Sequence, residues 1–327
     1  MNSTTKVLVT GTGSLIGQAI IKSIYKSVLR KEITLVGCDY FDNTVGSFWC
    51  DKNYHLPDVL KAEMENEWKQ TIYKIVDEEK IRIIFVGVDF ELTLFSEMKE
   101  DLLNRYNCHV VVSDKNVIEI GNDKYNTYLF LMENALNAPK TMLLDEAQAD
   151  RWNFPVVVKP RVGARSRGVK LIKSYGEYSQ YAEELYGKGY ILQEVIGNME
   201  TEYTCGVLYW DGKFQNSIVL RRYLKEGNTS IAEYNDNKEN KIVDYIRKIG
   251  DALKPTGSCN LQLRTDESGD PYLFEINPRF SGTTYMRTLF GYNEVEYIIY
   301  KVLGLSGAKM NPIEGKAYRF YEEKLIR

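Results

Sequence analysis

Leu273-Phe274-Glu275-Ile276-Asn277-Pro278-Arg279 reads as a strand. Side chains alternate across a strand, so Glu275, Asn277 and Arg279 share one face. Pro278 has no N–H to donate and ends the ladder. A carboxylate, an amide oxygen and a guanidinium in one row suit a divalent metal beside a phosphate. Mg2+ prefers hard oxygen ligands and shares them with phosphates, and the arginine can clamp a phosphate oxygen. The same alternation is also that of a solvated strand face, so the rest of the chain has to choose between the two.

Composition narrows the choice. The 327 residues suggest roughly two domains, with 44% hydrophobic and 27% charged residues, ordinary for a globular protein. A net charge of −3 gives no basic signal for nucleic acid. No apolar run is long enough to span a bilayer. The strand Lys6–Thr10 leaves no room for a signal peptide, and a cytoplasmic location is expected. Cys38, Cys50, Cys108, Cys205 and Cys259 form no CxxC pair and read as reduced thiols. His55 and His109 are the only histidines, which disfavours a His-based metal site or a Ser-His triad. Chemistry then falls to carboxylates, arginines and lysines.

The first third alternates strands (Lys6–Thr10, Thr34–Cys38, Ile81–Val86, His109–Ser113) with helices (Gly17–Val28, Glu65–Val76). Such alternation predicts a parallel sheet with helices on both faces. Asn122 or Asp123 is expected to cap a helix over Lys124–Leu136. Strands then follow at Val156–Lys159, Val169–Ile172, Tyr190–Glu194 and Glu202–Trp210. Asp211-Gly212 is a hairpin turn into Lys213–Leu220. A helix over Asn240–Ala252, a strand over Asn260–Arg264 and a helical tail over Tyr292–Leu303 complete the pattern, and the polar stretch Gly227–Asn240 reads as a mobile surface loop.

Two glycine clusters carry chemistry. Gly11-Thr12-Gly13-Ser14-Leu15-Ile16-Gly17 follows a strand and opens a helix, and Asp39 ends the next strand, where a dinucleotide fold keeps its ribose-binding acid. An NAD(P)-dependent oxidoreductase is therefore an alternative. The spacing is looser than the dinucleotide fingerprint. Tyr209/Lys213, Tyr234/Lys238 and Tyr297/Lys301 match Tyr-x-x-x-Lys, as chance allows among 24 tyrosines. The second cluster, Arg161-Val162-Gly163-Ala164-Arg165-Ser166-Arg167-Gly168, joins two strands after Lys159. Its backbone N–H groups can lie over phosphates, and Lys159 can reach phosphate oxygens as a point charge. A solvated hairpin with incidental arginines is the competing reading. Neither cluster is a P-loop.

Together these residues resemble the ATP-grasp superfamily, in particular single-module relatives of the carbamoyl-phosphate synthetase large subunit. The resemblance implies an α/β chain: a Rossmann-like pre-ATP-grasp domain over residues 1–115, then a two-lobed α+β ATP-grasp domain over 116–327. Its lid subdomain would cover about 140–195 and its metal and catalytic subdomain about 196–327. It also implies that Lys124, Lys159, Gly163, Ser166, Arg167 and Gly168 meet nucleotide phosphates. Gln193, Glu194, Val195 and Ile196 would form the adenine hinge. Glu202 would hold the ribose, with Glu200 competing. Gln262, Glu275 and Asn277 would bind metal, two Mg2+ ions with Mn2+ as an alternative. Arg279, Lys159 and Arg167 would serve catalysis, with Arg279 on the γ-phosphate or acyl phosphate, and Asp89 would lie on the acceptor side.

The implied reaction is ATP-dependent carboxylate–amine ligation through an acyl phosphate, giving ADP and phosphate. Such chemistry needs positioned metals and basic groups rather than a protein nucleophile. An amino acid or a sugar-linked carboxylate is the expected substrate class. Arg221, Arg222 and Arg287 are candidate carboxylate clamps, although surface arginines are common. Small-molecule partners, neither nucleic acid nor membrane, and a homodimer by family habit complete the expectation. A nucleotide-binding protein without ligase activity is the other alternative.

Overall fold

The computed structural model describes residues 4–147, 151–163, 167–236 and 240–326. The alternating first third folds into β1 (Thr5–Thr10), α1 (Leu15–Tyr25), β2 (Ile33–Asp39), β3 (Lys52–His55), α2 (Glu65–Glu79), β4 (Ile83–Phe85), α3 (Leu92–Tyr106) and β5 (His109–Val111). The strands pair in parallel in the order β3-β2-β1-β4-β5, a doubly wound arrangement. Runs such as Val7-Leu8-Val9 are fully buried because helices cover both faces. On one face Trp68, Ile72, Ile75, Phe95 and Leu102 from α2 and α3 pack on Leu8, Val36 and Ile84.

Helices α4 (Lys115–Asn122) and α5 (Lys124–Glu133) lead into a four-stranded antiparallel sheet. It comprises β6 (Thr141–Leu143), β7 (Val156–Pro160), β8 (Lys170–Ile172) and β9 (Tyr190–Glu194), in the order β6-β9-β7-β8. α6 (Tyr175–Leu185) lies against it through Tyr178 and Leu185. Asp123 caps α5 by accepting from the Tyr125 N–H at 2.8 Å, and it also takes the Arg161 guanidinium at 2.6 Å.

A six-stranded antiparallel sheet follows: β10 (Glu202–Trp210), β11 (Lys213–Lys225), β12 (Asn228–Tyr234), β13 (Gly257–Thr265), β14 (Pro271–Asn277) and β15 (Gly315–Tyr318), in the order β14-β13-β10-β11-β12-β15. α7 (Asn240–Leu253) buries Ile242, Tyr245, Ile246 and Ile249 against one face. α8 (Thr284–Leu289) and α9 (Glu294–Val302) lie on the other side, where Met286 packs on Ile218 and Leu220. A single cluster joins this region to the parallel sheet: Ile16, Ile20, Ile21 and Ile24 of α1 pack with Phe280, Val295, Ile298 and Ile299.

The structure departs from the sequence reading in several places. The polar stretch over 227–240 is not a loop throughout, because Asn228–Tyr234 forms β12 and pairs with β11. Glu226 and Gly227, both at positive φ (52° and 74°), make the tight hairpin turn that a right-handed strand twist favours. Polarity hid the strand, although Thr229 and Ala232 are buried. β11 also runs on to Lys225, so Arg221 and Arg222 lie inside it rather than at its end. The sequence reading gives no helix for α3, α4, α6 or α8 and no strand for β3, β6 or β15.

Candidate active site

Two cavities meet at β13 and β14. The first, of about 180 Å³, lies between the four-stranded and six-stranded sheets. Pro139, Val157, Val195, Ile196 and Leu224 make it apolar at one end, and five basic side chains against three carboxylates make it cationic overall. Strand alternation puts Val157 and Lys159 of β7 on this wall.

Lys159 is buried, with its ammonium 5.4 Å from the centre of the Phe274 ring. Among the described residues it has no ion-pair partner. Burial pushes it down to about 7, opposed by the charge of Glu275 and reinforced by Lys124. An ammonium held in an apolar wall without an anion is costly, and a ligand anion in the cavity would relieve that cost. Lys124, also buried, donates to the Gly163 carbonyl at 2.9 Å and so fixes the start of the glycine loop. Gly163 and Arg167 line the cavity. Gly168 sits just outside the lining at φ 72°, a left-handed conformation.

Strand pairing of β9 stops at Glu194. Val195 and Ile196 therefore present backbone groups at the apolar end, beyond the sheet ladder. The Gln193 amide nitrogen is already committed to Thr141 Oγ1 at 2.8 Å, which leaves its carbonyl oxygen as the available group. Glu202 is buried and held by two guanidinium groups. Its Oε1 accepts from Arg222 at 2.6 Å and its Oε2 from Arg264 at 2.7 Å. A carboxylate so held keeps further lone-pair positions for a hydroxyl donor. Glu200 lies in a capped turn, exposed and away from the cavity: the Asn198 side chain accepts from its N–H at 2.7 Å. Of the two competing acids, Glu202 is the one that lines the site.

Gln262 and Glu275 stand directly opposite in the β13–β14 register, and Asn277 faces Asn260. Asn277 Nδ2 donates to Glu275 Oε1 at 2.9 Å, while its Oδ1 accepts from Arg279 Nη2 at 2.9 Å. Gln262 Oε1 accepts from Arg222 at 2.8 Å. Among the described residues no cluster of three or more His, Cys, Asp or Glu could hold a metal. One carboxylate and two amides therefore form an incomplete oxygen set, which fits Mg2+ arriving with phosphate oxygens and water. The two amide oxygens must turn from their arginines to join it.

The second cavity, of about 330 Å³, continues along the same face of these strands and shares Arg222, Gln262 and Glu275 with the first. Asp89 and Arg279 form an ion pair across it, joining the turn after β4 to the end of β14. β12 supplies Asn228 and Thr229, and the start of α1 supplies Ser14, Leu15 and Ile16.

Comparison with known proteins bears on the fold. Residues 189–323 match the family described as "ATP-grasp in the biosynthetic pathway with Ter operon". The Bacillus cereus D-alanine--D-alanine ligase A is 29% identical over 41% of this chain and 46% of its own length. The carbamoyl-phosphate synthase of Methanobrevibacter smithii is 25% identical over 72% of this chain and 67% of its own. This chain thus spans less than half of that ligase. The ADP complex of purK, an N5-carboxyaminoimidazole ribonucleotide synthetase, aligns with a TM-score of 0.73 at 11% identity, over 95% of this chain and 79% of that one. An ATP-grasp family is thus matched over residues 189–323, and the fold is that of the purK synthetase.

The Gly11–Gly17 turn serves packing. A Cβ on Gly17 would lie 2.1 Å from the Gly11 carbonyl oxygen, so only glycine lets α1 approach. Asp39 is spent on backbone: its Oδ2 accepts from the Gly13 N–H at 2.7 Å and its Oδ1 from that of Phe41 at 2.9 Å. Thr44 covers the turn from above, its hydroxyl 2.7 Å from that of Thr12. The ribose acid of the dinucleotide alternative is therefore occupied. Tyr209 is equally committed, buried and bonded to Asp251 at 2.7 Å.

The arginine clamps need correction. Arg287 is fully buried and paired with Glu294 at 3.1 Å, with Asn260 also accepting from it, so it holds the fold rather than a substrate. Gly206 makes room for it, since a Cβ there would lie 2.7 Å from the guanidinium. Arg221 points away from both cavities, over the Tyr223 ring at 5.4 Å. Arg222, one residue on, faces both but is engaged by Glu202 and Gln262. Ser166 and Arg165 lie outside the described residues. Arg264 and Arg319 line the cavities without having been singled out in the sequence. Arg264 follows Gln262 by two on one strand, so period-2 reading could have found it. No local signal marks Arg319.

Proposed function

We propose that this chain is an ATP- and Mg2+-dependent carboxylate–amine ligase that works through an acyl phosphate. The observation that carries the reading is Lys159: a buried ammonium with no ion-pair partner among the described residues, in a basic cavity beside Glu275. A nucleotide laid with adenine at Glu194–Ile196 and ribose at Glu202 brings its phosphates to Lys124, Lys159, Gly163, Arg167 and Gly168. Glu275, Gln262 and Asn277 are the residues that would hold metal, one ion or two, with Mn2+ as a substitute. Metal bound there neutralises charge developing on the transferred phosphoryl group.

The carboxylate substrate enters from the second cavity, so that Arg279 clamps the phosphoryl group between it and ADP. Its oxygen attacks the γ-phosphorus and ADP leaves. The amine then attacks the acyl carbon, phosphate leaves, and the amine proton passes to solvent. Gly163 and Arg167, which line the cavity with Lys159, help to keep water from the acyl phosphate.

The test is phosphate release from MgATP with panels of carboxylates and amines. Stimulation by a specific pair is expected, and no stimulation by any pair overturns the reading. Glu275→Gln is expected to abolish metal-dependent turnover without lowering Tm; full activity in that variant removes the metal role. A second reading, nucleotide binding without ligation, draws on the hold of Arg222 and Arg279 over the Gln262 and Asn277 oxygens. It expects MgATP binding with no phosphate release.

A further inference from the structure

The second cavity contains a cation for which the ligation chemistry has no task. Arg319 follows β15, and its N–H donates to the Ser230 carbonyl at 2.8 Å, which pins it beside β12. Its Nη2 donates to the Gly282 carbonyl. The side chain is half-buried, and among the described residues it makes no ion pair. Burial pulls it below the usual arginine value. The other arginines of this cavity are occupied, Arg222 by Glu202 and Arg279 by Asp89.

The surroundings also favour an anion. The N–H groups of Leu15 and Ile16 open α1 on the same wall, and first-turn N–H groups have no intrahelical acceptor. Gly282 lies between the two, its would-be Cβ 3.7 Å from both Arg319 Nη2 and Leu15 Cβ, which brings the guanidinium and the start of α1 to one place. Asn228 and Thr229 add polar groups from β12. Arg319 comes from the edge of the six-stranded sheet opposite β14, which carries Glu275. It therefore faces the end of the cavity remote from phosphoryl transfer.

We propose that Arg319 binds a second oxyanion of the carboxylate substrate, a carboxylate or a phosphate monoester, so that the acceptor is a dianion activated at one end and anchored at the other. This inference rests on the ligase reading for the activated end, and Arg319 is a specificity residue for that reaction.

The test begins with binding, which needs no turnover. Short-chain dicarboxylates and phosphorylated hydroxy acids are titrated against monocarboxylates of equal length, with Mg2+ and a non-hydrolysable ATP analogue present. Dianions are expected to bind at least about tenfold tighter, the order of one charge-assisted hydrogen bond. Comparing the carboxylate and phosphate series separates the two sources of the oxyanion. Arg319→Met is expected to remove the preference by weakening dianions alone, with monocarboxylate and nucleotide binding unchanged and only a modest fall in Tm from the lost hydrogen bond to the Gly282 carbonyl. Arg319→Lys is expected to restore part of it. In turnover the loss appears in KM for the dianion and not in kcat. Equal binding of both classes, or an equal loss for both in Arg319→Met, overturns the inference. If no pair releases phosphate yet the dianion preference stands, the ligase reading fails while the Arg319 site survives.

Discussion

Lys159 shows how one residue ties fold to chemistry. β7 carries it into an apolar wall, desolvation lowers its proton affinity to about 7, and Glu275 only partly compensates. An anionic nucleotide stabilises the ammonium, so binding near and above neutral pH takes up a proton. Nucleotide affinity is therefore expected to fall as pH rises above about 7, by at most about tenfold per unit. Calorimetry in buffers of different ionisation enthalpy reads the proton uptake directly, and a pH-independent affinity between neutral and mildly alkaline pH would remove Lys159 from the phosphate site. In the ligand-free protein the same shift acts on stability. The unfolded chain holds the extra proton between about 7 and 10.5, so this contribution rises with pH across that window. Lys159→Met is expected to weaken MgATP binding while leaving Tm equal or higher.

Among the elements, β10, β11 and β13 are tied together by Glu202, which sits between the guanidinium groups of Arg222 and Arg264. Removing one member of a buried ionic group leaves the rest uncompensated, at a cost of about 3–5 kcal/mol. Glu202→Ala is expected to lower Tm strongly as well as nucleotide affinity; a change in affinity alone would assign Glu202 to the ribose without a structural part. The short helical turn Asp89–Glu91 holds a second titrating group. Glu91 is buried, accepts from the Thr10 hydroxyl, and is pushed up to about 7, first by desolvation. The folded state keeps its proton between about 4.5 and 7 while the unfolded state loses it, so stability from this group falls as pH rises through that window. Glu91→Gln is expected to flatten the fall in denaturation curves taken across it. Asp89 belongs to the same turn, so its ion pair with Arg279 is built on the element that Glu91 buries.

Across the whole molecule, the parallel sheet and the six-stranded sheet share one apolar cluster, in which α1 packs on α9 and Phe280. Ile298→Ala is expected to cost about 2–5 kcal/mol and to lower a single cooperative transition. Two separate calorimetric transitions, only one of them shifted, would mean that the halves unfold independently. The buried pair Arg287–Glu294 sits close by, with Ser258 and Thr284 donating to the carboxylate. Arg287→Met alone strands a buried charge, and pairing it with Glu294→Gln is expected to recover part of the lost stability.

Local pattern was enough for four of the five parallel strands, for β7 to β11 and β13, and for the Glu275-Ile276-Asn277-Pro278-Arg279 row, because periods of 2 and 3.6 and the breaking effect of proline act within a few residues. It was not enough for β12, whose polar side chains face a cavity rather than bulk solvent. It also could not tell Arg287, neutralised in the core, from Arg319, which lines the second cavity and makes no ion pair among the described residues. All these arginines have the same side chain, and their roles depend on which carboxylates the tertiary fold brings to them. That pairing is a matter of position in space, because the partners are far apart along the chain: Asp89 reaches Arg279, and the carbonyl of Gly282 meets Arg319.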